Sequence, residues 1–313
     1  MQLTTNTTAF IEAEQYSTFI LMNLHDGLLG EQFYRNVSDF GSGTTLNIKT
    51  VGSVTLQEAS EDTPLVYNPI ESGSVTLTIT EYDGDAWYVT DDLREDGAQV
   101  EQLMAARSVE STRAYQEVFE TKFLAACNAA QTNSNANTIN GFAHRIASAA
   151  TNDIFQLSHL ISMRLAFDKA NVPAQGRIFL CDPVVEATLN SLITITNDVT
   201  PFAQNILQAG FASGMRFVTS LFGWDIILTN RLPTGSFGDG TETVTTGVAN
   251  ICMSVLDDQT KPIMVAIRRQ LKVEGERNKD RRRDEFVSTS RYGIGAQRVD
   301  TLGIIITDSA NIA

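Results

Sequence analysis

The chain has only three cysteines and three histidines in 313 residues, and none stands at a spacing that chemistry uses. Cys127, Cys181 and Cys252 lie more than 50 residues apart, each in an apolar run. That spacing excludes a disulfide or zinc framework, and reduced, buried thiols in a cytoplasmic product are expected. His25, His144 and His159 form no H-E-x-x-H pair. His159 falls inside a predicted helix and reads as a packed or surface residue. There is no G-x-S-x-G elbow and no P-loop. Gly41-Ser42-Gly43 lacks both a preceding strand and a third glycine, so it reads as a turn. No apolar run reaches 18 residues, so no segment is long enough to cross a membrane as a helix. Residues 1–30 show no basic start followed by an apolar block, and no secretory signal is expected. The triplets Asn6-Thr7-Thr8 and Asn36-Val37-Ser38 therefore carry no weight as glycosylation acceptors.

Positive charge is also short. The net charge is −14, and it is unevenly spread. Residues 1–100 carry 16 acidic and 3 basic side chains, residues 101–260 carry 14 and 9, and residues 261–313 carry 7 and 11. The overall sign argues against a dedicated nucleic-acid binder. The asymmetry suggests that an acidic N-terminal part meets a basic C-terminal part, within one subunit or between two. Arg281-Arg282-Arg283 is flanked by Asp280, Asp284 and Glu285, which cancel most of its charge. A solvated or subunit-contacting turn is the expectation there, in preference to a phosphate contact.

What is present is a long ribbon running into a long helix. Thr45-Leu46-Asn47-Ile48-Lys49 and Ser74-Val75-Thr76-Leu77-Thr78-Ile79-Thr80 alternate polar and apolar, as strands with one buried face do. Two arms of about 11 residues would reach on the order of 35 Å. Between them lies a polar segment with Pro64, Pro69 and Gly73. A ribbon so long and polar cannot be stable alone, and an identical neighbour is the simplest surface for it to lie on. The alternation slips near Gly52, which suggests a bulge or bend. Asp91, Asp92, Glu95 and Asp96 could suggest a metal site, but the calcium-loop offsets are missing and a helix start explains them. Val100 to Ala130 contains no proline or glycine, and the spacing predicts one helix of about 38 residues from Asp92, bent at Gly97.

Ahead of the ribbon, residues 1–35 read as an arm, with a short helix between Phe10 and Leu29, and Asp39–Gly43 as a turn. Beyond the long helix, residues 151–261 read as an α/β unit. Asn152-Asp153 is expected to cap a helix that stops at Asn171-Val172-Pro173. Arg177 to Cys181 is a short buried strand, and Asp182-Pro183 opens another helix. Phe217-Val218 and Trp224 to Leu228 read as strands, and Thr234 to Gly247 as an exposed loop. Ile263 to Ile267, Phe286 to Ile294 and Leu302 to Ile306 are core-like strands around a charged turn at Arg277 to Glu285.

The order of these elements resembles the major capsid proteins of tailed phages, with the Hong Kong 97-type fold. The stretch Phe167-Asp168-Lys169-Ala170-Asn171-Val172-Pro173-Ala174-Gln175-Gly176-Arg177 is similar to the passage that opens the axial domain of such coats. Gly223 to Pro233 resembles their later segment of a strand followed by Asn-x-x-Pro, and Tyr292-Gly293 with Arg298 to Gly303 resembles their closing strands. The resemblance implies an α+β fold with an N-terminal arm (1–38), an extended β-hairpin loop and its base strands (39–90), and a spine helix with the first part of a peripheral domain (91–150). An axial α/β domain (151–261) and peripheral return strands (262–313) complete it.

It further implies a structural protein rather than an enzyme, with no catalytic, cofactor or metal residues. Its copies would form hexamers and pentamers of an icosahedral virion shell around double-stranded DNA, which is held without sequence-specific contacts. Assembly would take place in the host cytoplasm with a scaffolding protein, a portal and, as a further candidate, a cement protein; no membrane partner is implied. Unlike the prototype, the arm starts at once, which points to a separate scaffolding protein or a mature form. Lys49 is the one lysine of the extended loop, so non-covalent holding is expected in place of a loop crosslink. A bacterial nanocompartment shell of the same fold and a soluble α/β enzyme remain as alternatives. For intersubunit contact, the candidate acids are Glu58, Glu61, Asp62 and Glu71. The candidate bases are Arg268, Arg269, Lys272, Arg277, Arg281, Arg282 and Arg283, or Arg107 and Arg113 on the spine helix.

Overall fold

The computed structural model describes residues 31–38, 43–52, 56–59, 61–62, 64, 67, 69, 72–97, 100–132, 135–195 and 220–311. The arm over residues 1–30, most of the turn at 39–43, Glu71 and the strand expected at Phe217-Val218 lie outside them. A short 3-10 turn at Glu31–Phe33 leads into β1 (Arg35–Asn36). The ribbon follows as β2 (Thr45–Val51) and β3 (Ser72–Thr78), antiparallel, with Thr45 opposite Thr78 and Val51 opposite Ser72. Its register is unbroken, so the slip expected near Gly52 is not a bulge: the ladder ends at Val51. The arms pair over seven residues and not about 11. Leu46, Ile48, Val75 and Leu77 form the apolar face, against Met264 and Ala266.

β4 (Glu81–Thr90) runs into α1 (Asp91–Asp96). The Thr90 hydroxyl accepts the Leu93 N–H at 3.4 Å, and Asp91 and Asp92 occupy the first turn, so the acidic run is a helix start. The single bent helix does not form. Gly97 is extended (φ −85°, ψ 115°) and ends α1 before α2 (Val100–Ala130); a Cβ there would fall 2.5 Å from Leu93 O, so the break suits glycine. The 31 residues of α2 span about 46 Å.

Next come β5 (Thr138–Ile139), β6 (Phe142–Ala143), β7 (Arg145–Ala147) and α3 (Leu157–Lys169). The cap of α3 is Gln156 in place of Asn152-Asp153, which sit in a left-handed turn (φ 61° and 51°) that Asn and Asp tolerate. α3 gives way at Asn171 (φ 57°), ahead of Pro173 as expected. β8 (Arg177–Cys181) precedes α4 (Pro183–Ile195), where the Asp182 carboxylate accepts the Val184 N–H at 3.0 Å. β9 (Ser220–Leu221) and β10 (Trp224–Leu228) follow. The stretch expected as an exposed loop is a hairpin, β11 (Thr234–Gly238) against β12 (Thr243–Ser254), with Val244 and Val248 buried. Threonine favours strands, and the glycines beside it masked that signal. β13 (Ile263–Asn278), β14 (Arg283–Ala296) and β15 (Leu302–Asp308) close the described chain.

The strands make a four-stranded sheet, β1-β13-β14-β4, and a seven-stranded sheet, β7-β15-β12-β8-β10-β9 with β11 on β12. The second is buried on both faces. Leu180, Ile251, Ile304 and Ile306 face the end of α2, while Phe179, Cys252 and Ile305 face α3 and α4. That sorting is why β8 and β15 read as continuous apolar runs. β15 pairs with β12 and β7, not with β13 and β14, so residues 262–313 divide between the two sheets. A fully apolar strand carries no mark of which sheet it joins.

Candidate functional site

The side chains that catalysis would recruit are embedded. His144 is buried and stacked on Phe167 at 5.7 Å, and burial lowers its pKa. Burial also lowers the pKa of His159, whose Nδ1 accepts the Gln156 N–H at 3.3 Å. All three cysteines are buried and in no disulfide, and burial pushes the Cys127 and Cys252 thiols up. Among the described residues no three or more His, Cys, Asp or Glu are grouped to hold a metal ion.

The polar order lies between the long helix and the four-stranded sheet. Glu81, Asp83 and Asp85 alternate along β4 and point from one face. Arg107, Ser111, Tyr115 and Lys122 fall within one stripe of α2 at 3.6 residues per turn. They meet. Arg107 donates to Asp85 at 2.8 and 2.9 Å, and Ser111 donates to the same carboxylate at 2.6 Å. Tyr115 donates to Ser288 O at 2.6 Å. Lys122 bridges Glu81 at 2.6 Å and Asp83 at 2.7 Å, and Asp83 also accepts from Tyr292 at 2.6 Å. Apart from Val100 in the first turn, the large apolar side chains that α2 buries, Phe123 and Leu124, lie in its last third. Its middle is held by this polar strap. At the far side, Arg231 reaches Glu117 at 2.9 Å, and fully buried Arg145 donates to Asn128 and Gly238 O, tying α2 to the seven-stranded sheet.

The candidate bases are mostly engaged within the chain. Arg107 pairs with Asp85, Arg113 with Glu117 at 3.6 Å, Lys272 with Glu274 at 2.8 Å and Arg283 with Glu285 at 2.7 Å. Arg277 clasps Asp91 at 2.6 Å and Asp284 at 3.2 Å, which joins the acidic N-terminal part to the basic C-terminal part inside one subunit. Arg269 donates to Thr289 at 3.0 Å, and Arg268 is exposed on β13. Arg281 and Arg282 occupy the turn between β13 and β14, in the fields of Glu285 and Asp91. Glu58, Glu61 and Asp62 are exposed, and Glu71 lies outside the described residues.

The ribbon is the part left uncovered. Val51, Leu56 and Tyr67 are 75%, 91% and 99% exposed. Beneath its outer end is a pocket of about 370 Å³ and mixed character, with Arg35, Lys49, Gln259, Gln297 and Arg298 beside the apolar Ile48, Val51 and Val75. A second, more apolar groove of about 540 Å³ runs between α2 and β13–β14, walled by Phe33, Phe119, Leu271 and Tyr292.

A phage capsid protein family model matches residues 72–307, three quarters of the chain, from β3 into β15. The chain belongs to the phage capsid protein family. This capsid protein is also similar to solved capsids. The cyanophage P-SCSP1u capsid gives a TM-score of 0.70 at 16% identity, covering 94% of this chain and 92% of that one. The cyanophage Pam1 capsid gives 0.70 at 12% identity, covering 99% of each. Mycobacterium phage Che8 gives 0.66 at 16%, covering 94% and 96%. At such identities the likeness establishes the Hong Kong 97-type α+β fold. No curated protein sequence matches the chain. The capsid protein is thus a structural, non-enzymatic component of the phage head shell, and the nanocompartment and enzyme alternatives fall away.

Sequence reasoning missed the strap and the pocket. Glu81, Asp83 and Asp85 at every second position were the available signal, as was the Arg107-to-Lys122 stripe. The strap has a pH signature. Burial raises the Asp83 pKa, but hydrogen bonds from Lys122 and Tyr292 outweigh it, and the net shift is downward from 3.8. Its contribution is therefore complete above about pH 4 and is lost as the pH falls through the lowered folded value. Acid titration of the subunit should show a stability loss beginning below about pH 4 that Asp83→Asn removes; an unchanged profile in Asp83→Asn would count against the strap.

Proposed function

We propose that this capsid protein builds an icosahedral head shell through hexamers and pentamers, enclosing double-stranded DNA without sequence-specific contact. A separate scaffolding protein and a portal would complete the assembly. No cofactor takes part. The observation that carries the reading is the ribbon: a paired, in-register arm with apolar residues almost fully exposed, anchored on a body that is strapped together elsewhere. Such a surface needs a partner, and a second copy supplies one. The net charge of −14 favours packaged DNA held by confinement over DNA gripped by the wall. We further propose that the spine helix and four-stranded sheet act as the peripheral unit and residues 151–261 with β7 and β15 as the axial unit.

Expression with a scaffolding partner should give closed shells in electron micrographs. A small discrete oligomer under all conditions would contradict the proposal. Limited proteolysis adds a second readout. Residues 55–73 should be cut in free subunits and spared in shells, whereas equal protection in both would argue against a partner for the ribbon.

A further inference from the structure

The pocket under the outer end of the ribbon is anomalous for so acidic a chain. Arg35, Lys49 and Arg298 line it with the amides of Gln259 and Gln297 and with the ribbon's Ile48, Val51 and Val75, and no carboxylate of the described residues lines it. Lys49 and Arg298 are exposed, and neither side chain has an ion-pair or hydrogen-bond partner among the described residues. Among the described residues Arg35 reaches only the Gln297 side chain, at 3.4 Å, with Asp258 in its field. By contrast, Arg107, Arg113, Lys272, Arg277 and Arg283 are already paired. The pocket therefore holds cationic capacity that the subunit itself does not use.

The matching anions stand further out on the same ribbon, between Val51 and Ser72. Glu58, Glu61 and Asp62 are exposed, and they too make no ion pair among the described residues. Asp62 sits in a left-handed turn (φ 63°) that marks the tip. The tip is thus not seated in its own pocket. At about 370 Å³ the pocket has room for roughly twelve waters, ample for two carboxylate side chains.

We propose that this pocket is the receptor for the acidic ribbon tip, Glu58 to Asp62, of a second copy of the chain. The inference rests on the shell reading above and deepens it. Each subunit offers a tip to one neighbour and a pocket to the other. That is a head-to-tail contact, and repeated around an axis it closes into a ring. Each carboxylate that enters finds a guanidinium or ammonium and side-chain amide donors. The candidate bases on the β13–β14 turn and on the spine helix then serve the subunit's own fold.

A charge swap in the full chain tests it. Glu61→Lys with Asp62→Lys should cut shell yield at low salt by about tenfold or more, and so should Lys49→Glu with Arg298→Glu. All four substitutions together should restore yield, with circular dichroism unchanged throughout. Normal assembly of either reversal, or failure of the fourfold variant to recover, overturns the pocket assignment while shells of the unaltered chain leave the shell reading intact. A second arm does not depend on shells. A synthetic peptide of residues 56–64 should bind the free subunit in a salt-sensitive way and lose about tenfold in affinity for the Lys49→Glu, Arg298→Glu protein. Equal affinity for both proteins, or equal displacement by inorganic phosphate or duplex DNA, would show that the pocket is not built for the tip.

Discussion

Gly293→Ala is expected to abolish shell assembly while leaving most of the subunit folded. The ribbon base crosses β14 at this residue. A Cβ on Gly293 would lie 2.6 Å from Thr78 O and 2.9 Å from Ile79 Cα. Both are backbone atoms, so no rotamer change relieves the contact, and the ribbon must lift. Overpacking of this kind costs about 1–3 kcal/mol. The displacement is carried along the paired arms to the tip, which then misses its neighbour. Gly295 is a milder case, since its Cβ would meet the flexible end of Leu77 at 2.7 Å. Gly84→Ala, in β4 of the same sheet, is the control: its nearest contact would be an ordinary 3.7 Å. Urea midpoints and particle yield should separate the three. A Gly293→Ala protein that assembles at the unaltered yield would contradict the geometry.

Lys122→Met is expected to destabilise the subunit by about 1–3 kcal/mol. The substitution keeps the length of the side chain and removes its charge. Glu81 and Asp83, two residues apart on one face of β4, then face α2 without the cation that bridges them. The side chain is 33% exposed, so water softens the loss, which is why the lower half of that range is favoured over the cost of a fully buried pair. Adding Asp83→Asn should recover part of the loss, and a double-mutant cycle should give a coupling of about 0.5–3 kcal/mol. Additive effects would mean that Lys122 and Asp83 act independently and that the strap is not a unit.

The sequence made the long elements legible and left their partners hidden. Alternation at Leu46, Ile48, Val75 and Leu77 marked the ribbon because its one buried face lies on Met264 and Ala266. The acidic run at Asp91 and the cap at Thr90 marked a helix start through local chemistry alone. What failed was non-local. Gly97 ends a helix that was expected only to bend, in an extended conformation where a Cβ would meet Leu93 O and Val100. β15 joined the seven-stranded sheet, and nothing in Leu302 to Ile306 names β12 as its partner. Net charge by segment pointed to an acid–base meeting but not to its address. Arg277 and Asp91 meet inside the subunit, whereas Arg35, Lys49 and Arg298 are among the cations left without a salt bridge in the described residues, lie far apart in the chain and converge only in the fold.

The central claim is that the ribbon is completed by another copy of the chain. A cryo-electron microscopy reconstruction of assembled particles tests it most directly, by tracing residues 52–71 from Val51 to Ser72. This segment is expected to lie on an adjacent subunit, with Glu61 and Asp62 beside that neighbour's Lys49 and Arg298. A ribbon folded back onto its own subunit, or projecting into solvent in the closed shell, would contradict it.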